Sequence, residues 1–317
     1  MIEQLWFTAS PVGLGQSPGW QVRAASPALR DQTDPHIRQI MALLRYELPA
    51  SLRPFKITPS EAPLSMCWLR VNGERVLLQR AFIGLTWDRR PGNTFSHLLT
   101  KLPADFGAYH AIDLWRSTLW ACSDTLDPHD LALPQLKAAQ LVPGPLAATS
   151  RLEGSLARYL ESLVIAYYYY VFHKIQHIYI VAQPDLVVQL IWGLIRAFPA
   201  RMLAELTFST FERYLDKPTT PTIAGVYPAH DQSPTAAAVY ALESDAVVID
   251  LAHDTVRGLP VSPRASAYAA TVVQLLVAGD RRLKDFISSI NMYQSAEIDV
   301  IDGRLQYYLR CNPFPII

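Results

Sequence analysis

Two adjacent arginines, Arg89 and Arg90, open the run Arg89-Arg90-Pro91-Gly92-Asn93, and His97 follows closely. Forked guanidiniums can grip a carboxylate or phosphate bidentately. Gly92-Asn93 is expected to bend the chain and expose backbone amides beside them. Arg89, Arg90, Asn93 and His97 are therefore the leading candidates for an anion-binding site, against the plainer reading of a solvated charged turn. A second dense group, Asp124, Asp127, His129 and Asp130 around Pro128, has residue types suited to metal binding or acid–base work, but reads more simply as a solvated loop with a capped helix start. His173 and His177 would share a helix face and could hold zinc there. No glutamate follows His173, and the pair sits where a helix ends and a strand begins, so a cationic helix end is the better reading. No metal and no cofactor are expected.

Gly13-Leu14-Gly15-Gln16-Ser17-Pro18-Gly19 follows an apolar strand and resembles a phosphate loop in composition. A phosphate loop needs a helix N-terminus behind it. Here β-like Gln21-Val22-Arg23 follows, so the segment reads as a hairpin loop. No Gly-x-Ser-x-Gly nucleophile elbow is present. Tyr167 to Tyr170 run consecutively and point around a helix. They read as buried rings with bonded hydroxyls, or as an aromatic contact surface.

The elements around these residues divide the chain. Ile2–Ala9 and Trp20–Ala25 read as a hairpin with a long loop. Asp34-Pro35 starts a helix, and Ile37, Ile40, Met41 and Leu44 recur at helical spacing. Residues 49–63 hold four prolines and must be irregular. Asn72-Gly73 joins Leu64–Val71 to Arg75–Phe82 in a second hairpin, because both turn residues tolerate positive φ. Thr94–Thr100 extends this strand-rich part. Beyond Pro143-Gly144-Pro145, helices and buried strands alternate. Arg151–Phe172, Pro184–Ala197, Ser262–Val277 and Arg281–Ile290 are helical, while Ile178–Val181, Leu206–Thr210, Ile223–Tyr227 and Val247–Asp250 are strands. Asp302-Gly303 suggests a closing hairpin between Ile298–Ile301 and Leu305–Leu309. The expected fold is mixed α+β and α/β: a strand-rich domain over 1–142, then a βα-crossover, Rossmann-like domain over 150–317. Open α/β sheets bind ligands beyond the carboxyl ends of their strands. Asp185, Ser209 and Asp250 would lie there, as the alternative ligand crevice.

The 317 residues are half apolar and 18% charged, with Lys+Arg and Asp+Glu balanced at 28 each. Such a balance gives no electrostatic case for nucleic acid. A charged fraction below the usual ~25% suits a surface partly covered by a partner. The apolar run Leu163–Phe172 is shorter than the ~20 residues a membrane-spanning helix needs, so no membrane is expected. Cys67, Cys122 and Cys311 are odd in number and far apart. Reduced, mostly buried thiols in a cytoplasmic protein are expected.

Gln4-Leu5-Trp6-Phe7-Thr8 with Gln21-Val22-Arg23-Ala24, and then Arg90-Pro91-Gly92-Asn93-Thr94-Phe95-Ser96-His97, resemble the N-terminal domain of the bacterial GTPase-associated protein 1 family. Leu203-Ala204-Glu205-Leu206-Thr207-Phe208-Ser209-Thr210-Phe211, followed by Ile223-Ala224-Gly225-Val226-Tyr227, resembles that family's middle region. The resemblance covers most of residues 1 to about 230. It implies a place in a bacterial conflict or defence operon built around a GTPase, and assigns no catalytic residue. The expected function is a non-enzymatic component that binds a protein partner, a GTPase or another product of the same operon. The alternative is an enzyme or nucleotide binder that uses the second-half crevice.

Overall fold

The computed structural model describes residues 1–15, 17–127, 129–149, 151–173, 177–215, 220–228, 246–291, 300, 302–304 and 306–307. The chain opens with β1 (Glu3–Ser10), β2 (Gly19–Ala25) and α1 (Pro35–Ala42). An irregular stretch leads to β3 (Ser65–Val71), β4 (Glu74–Leu85), β5 (Pro91–Thr100) and α2 (Ala108–Asp113). The second half holds α3 (Ala157–His173), β6 (His177–Val181), α4 (Pro184–Ala197), β7 (Phe208–Ser209) and β8 (Ile223–Val226). It continues with β9 (Ala246–Asp250), β10 (Thr255–Arg257), α5 (Pro263–Ala278) and α6 (Arg281–Asn291).

Local chemistry accounts for most of these boundaries. The Asp34 carboxylate accepts the His36 amide at 2.8 Å, and Pro35 supplies the preset φ of a first helical turn. Asn72 and Gly73 adopt φ of 51° and 82°, as the two-residue hairpin requires. Ser262 caps α5, and Gly279 closes it in the left-handed conformation.

Among the described residues the strands form one ten-stranded sheet in the order β10-β9-β6-β8-β7-β3-β4-β5-β1-β2. The β3-β4-β5-β1-β2 side is antiparallel. The β9-β6-β8-β7 run is parallel. The mixed α/β character expected from sequence is thus present, and the two kinds of sheet are fused edge to edge. The join is short: Cys67 pairs with Ser209 and Trp68 with Phe208.

Alternation then sets two faces. Trp68, Leu77, Leu99, Phe208, Ile178 and Ile249 face one large core with residues of α2 to α6. Cys67, Val76, Leu78, Leu98, Leu5 and Val22 face the other side, where α1 covers them with Ile37 and Ile40. Residues 143–145 are packed against the first half, with the Gly144 amide donating to the Asp113 carbonyl at 2.7 Å.

Several elements differ from expectation. Strand β7 is two residues long; past it the Thr210 amide still donates to the Met66 carbonyl of β3 at 2.9 Å, and the chain meets β8 again through the Glu212 amide. The helix expected from Arg151 begins at Ala157, after a 3-10 turn over Gly154–Leu156. Asp302 and Gly303 are helical, so they form no hairpin turn. Their flanking segments lie largely outside the described residues. Cys67 is buried but Cys122 is exposed, and Cys311 lies outside the described residues. Among the described residues no helix is long and apolar enough to cross a membrane.

Gly225 in β8 marks the tightest approach beside the join. A Cβ there would lie 2.2 Å from the Thr210 carbonyl oxygen and 3.1 Å from Val187 Cγ1. Its own carbonyl accepts the Glu212 amide at 2.8 Å. Gly225→Ala should therefore cost about 1–3 kcal/mol by overpacking. Urea unfolding should show a lower midpoint with an unchanged slope, and an unchanged midpoint would mean that this seam yields freely.

Candidate functional site

The Arg89–His97 constellation does not stay together. Pro91 already begins β5, so from there the side chains alternate between the two faces of a strand and do not gather around a bend. Asn93, Phe95 and His97 point to one face, and Thr94 and Ser96 to the other. Asn93 is buried: its Oδ1 accepts from Thr8 Oγ1 at 3.1 Å and from the Ala9 amide at 3.3 Å, and its Nδ2 donates to the Leu85 carbonyl at 3.1 Å. Arg89 and Arg90 remain at the exposed tip of the β4–β5 hairpin. The tip is fixed by the Thr86 amide donating to the Arg90 carbonyl at 2.8 Å and the Arg89 amide donating to the Thr86 carbonyl at 2.9 Å. Arg89 takes a φ of 64° there. Arg90 Nε pairs with Asp88 at 2.8 Å, and hydrogen bonding from Thr86 holds the Asp88 carboxyl below its ordinary range. Leu85 and Trp87 stand exposed on the same tip.

His97 is a structural residue. Its Nδ1 accepts the Ala121 amide at 3.1 Å, so the proton sits on Nε2, which donates to Gln4 Oε1 at 3.0 Å. Gln4 Nε2 passes the chain on to the Pro134 carbonyl at 2.7 Å. The Trp6 and Trp120 rings approach the imidazole edge-on. Burial pushes its pKa down from 6.5 to about 3.

Each of the three crevice candidates is engaged by its own local partners. Asp185, at the start of α4, accepts from Trp115 Nε1 at 2.9 Å and pairs with Arg116 at 2.7 Å. Asp250 is fully buried and accepts the His253 amide at 3.0 Å, with His253 Nδ1 at 2.9 Å. Ser209 is buried in the β3–β7 join, 3.3 Å from Cys67 Sγ, and donates to the Phe211 carbonyl at 3.0 Å. The Asp124–Asp130 loop serves Arg23, a buried cation on the edge strand. Its Nε meets Asp124 at 2.5 Å, and its other nitrogens reach the carbonyls of Asp127 and Asp130 at 2.8 Å each. His177 begins β6, with Nδ1 3.3 Å from the Pro221 carbonyl. Among the described residues no group of three or more His, Cys, Asp or Glu side chains is placed to hold a metal. Tyr167 and Tyr170 are hydrogen-bonded through their hydroxyls, to Met202 and Thr222.

The feature that spacing did not disclose lies on the α1 side of the sheet. A groove of about 560 Å³ runs between Phe7 and Trp20 of β1 and β2, the segment 45–54, and Arg213. Trp20 stacks on Phe7 at 6.1 Å and is half exposed. An adjoining cavity of about 270 Å³ shares Arg45, Tyr46, Glu47 and Arg213, and is floored by Arg80 and Glu212.

Arg80 is the structural centre of this region. Both it and Glu212 are buried, and they pair at 2.6 Å. The same guanidinium reaches the carbonyls of Leu43 and Arg45 at 3.3 Å, Ser65 Oγ at 2.8 Å and the Phe211 carbonyl at 3.2 Å. It therefore ties both walls of the groove, 43–48 and 211–214, to the sheet. Burial opposes its charge, but the Glu212 carboxylate bonded to it outweighs that and holds its pKa up. Burial pushes the neighbouring Cys67 thiol up, which keeps it protonated and inert as a nucleophile. One signal was present in the sequence. Arg80 follows Val76 and Leu78 at strand spacing, which places a cation among core positions.

Residues 1–139 match the family model described as GTPase-associated protein 1, N-terminal domain type 2. The resemblance read in the opening strands and in Arg90–His97 therefore holds over that segment. The chain is also similar to a protein of Mycolicibacterium smegmatis named "Putative ESX-1 scaffolding and assembly protein SaeB". It is 26% identical over 302 residues, covering 90% of this chain and 36% of that protein. The protein of the same name from a second strain is 30% identical over 145 residues, covering 45% of this chain and 17% of its own length. The chain thus spans roughly a third or less of the length of these relatives.

Two measurements can check this geometry. Arg80→Met should leave Glu212 buried without its partner and cost about 3–5 kcal/mol, whereas the double change with Glu212→Leu should recover part of that loss. Equal midpoints for the single and double variants in urea would show that the carboxylate is not what the cation serves. His97 gives a pH signature. Its folded value lies below the ordinary one, so the unfolded chain takes up the proton first and stability falls as pH drops from 6.5 toward about 3. At pH 5 this one group should have removed about 2 kcal/mol. His97→Gln should be less stable at neutral pH but lose less between pH 7 and pH 5, as read by thermal melts.

Proposed function

We propose that this chain is a non-enzymatic scaffold segment that binds another protein, in a cytoplasmic bacterial assembly built around a GTPase. The match of residues 1–139 to a GTPase-associated domain supports the GTPase as partner. The scaffolding and assembly named for the mycobacterial relative supports the structural role. A conflict or defence setting is the finer form of the proposal and rests on the family resemblance. The division into modules 1–142 and 150–317, read from the shift in composition at Pro143-Gly144-Pro145, is a further part of the proposal and is supported by the family match ending at residue 139.

The observation that carries the proposal is the β4–β5 tip. Trp87 is 51% exposed and Leu85 59% exposed, beside the exposed Arg89 and Arg90. Tryptophan and arginine are the residue types that dominate binding energy at protein interfaces. Here they project from a long hairpin whose tip is pinned by its own backbone hydrogen bonds, so little ordering is needed on contact.

The test is affinity between the full chain and a purified GTPase encoded beside its gene. Trp87→Ala and Arg89→Ala should each weaken binding by about 1.5–3 kcal/mol, the scale of a lost anchor or a charge-assisted contact. Melting temperatures should barely move, since these side chains are on the surface. No binding by the unaltered chain would refute the GTPase partner, and unchanged affinity in both variants would remove the tip from the interface.

A further inference from the structure

We infer that the groove between Trp20 and Arg213 is a docking site for an acidic, partly apolar segment of a partner protein, gripped by Arg45 and Arg53. This inference rests on the scaffold reading above and adds a second contact to it, with its own chemistry.

The charge inventory of the groove is lopsided. Arg45, Arg53 and Arg213 line it, against the single carboxylate of Glu47. That carboxylate is already engaged, accepting from the Tyr214 hydroxyl at 2.9 Å and facing Arg213 at 3.5 Å. Arg213 is further committed to the Leu48 carbonyl at 2.7 Å. Arg45 and Arg53 are exposed, and among the described residues their guanidiniums have no hydrogen-bond or ion-pair partner. A pair of uncommitted forks on one concave surface is complementary to carboxylates.

The remaining lining selects the kind of anion. Phe7, Trp20, Leu48, Leu52 and Pro54 form an apolar wall alongside the cations. A small anion would satisfy the arginines and leave that wall wet. An extended segment that mixes Asp or Glu with Leu or Phe covers both, with Trp20 offering a half-exposed indole as anchor. The surface is also pre-organised. Arg80 holds the carbonyls of Leu43, Arg45 and Phe211, so both walls are fixed before a ligand arrives.

The probe is a short fluorescein-labelled peptide of Glu and Leu, titrated with the full chain and followed by anisotropy. A peptide with Gln for Glu and free GTP serve as controls. Binding of the Glu peptide should weaken about tenfold in Arg45→Ala and again in Arg53→Ala, and should fall with added salt. Neither arginine supports the fold, so both variants should melt like the parent protein. Equal binding of the Gln peptide, or equal affinity in the double variant, would overturn the proposal. So would displacement of the peptide by GTP at comparable concentration, which would mark the groove as a nucleotide site. GTPase binding measured on the same double variant separates the two readings. If GTPase binding persists there while the parent chain itself binds no Glu peptide, the groove assignment fails and the scaffold reading stands. If the GTPase never binds the parent chain yet the Glu peptide does so through Arg45 and Arg53, the groove assignment holds and the GTPase partner is lost.

Discussion

The ion pair between Arg80 and Glu212 sits at the place where two kinds of sheet are joined. An antiparallel sheet and a parallel one meet there through only two residue pairs, Cys67–Ser209 and Trp68–Phe208. So short a ladder is a weak connection by itself. The chain reinforces it from one side with a buried polar cluster. Ser65 Oγ donates to the Phe211 carbonyl, Thr210 bonds Met66 through both backbone and hydroxyl, and Arg80 spans to Glu212 from the next strand. Buried charge is tolerated only when its partners are complete, and here the guanidinium is supplied with carbonyls, hydroxyls and a carboxylate. Gly225 lets the segment 210–212 lie close against β8. The seam therefore requires specific residues on β3, β4, β8 and the segment after β7 at once.

The groove depends on that seam. The carbonyls that Arg80 binds belong to segments 43–45 and 211, which carry Arg45, Glu47 and Arg213 into the cavity. The same interaction that closes the sheet thus positions the surface above it. This couples stability to recognition: losing the buried cation would loosen both walls together, whereas changing Arg45 or Arg53 touches only the surface.

Local features are legible in the sequence and the seam is not. The Asn72-Gly73 hairpin, the Asp34-Pro35 helix start and α4 over Pro184–Ala197 are each written in a few adjacent residues, and the structure has them. The β3–β7 pairing joins residues more than a hundred positions apart, and nothing near Phe208 announces its partner. Leu206–Thr210 looks like a full strand because its side chains are apolar and hydroxylic. The structure keeps only Phe208–Ser209 as strand, and the chain meets β8 again through the Glu212 amide on the Gly225 carbonyl. Helix α2 escapes a reading by pattern because six residues without a side-chain cap carry little of it. The Arg89–His97 motif reads as one site because its residues adjoin in sequence. A strand places neighbours on opposite faces, so Asn93 and His97 enter a buried network while Thr94 reaches the groove.

The arginines show most clearly why a site of this kind resists sequence reading. Arg23, Arg80, Arg89 and Arg45 are chemically identical, yet they do four different jobs. Arg23 is buried on the edge strand against the loop that holds Asp124, Asp127 and Asp130; of that apparent acidic cluster only the Asp124 carboxylate is its counter-charge, while Asp127 and Asp130 offer backbone carbonyls. Arg80 is buried at the seam and serves the fold. Arg89 stands on a hairpin tip, and Arg45 stands uncommitted in a concavity. A guanidinium is available for recognition only when the fold leaves its donors unfilled, and whether they are filled depends on carbonyls and carboxylates distant in the chain. Strand alternation gives half of the answer, since it separates inward from outward positions. The other half is the count of partners around each fork, which exists only once the sheet has been assembled.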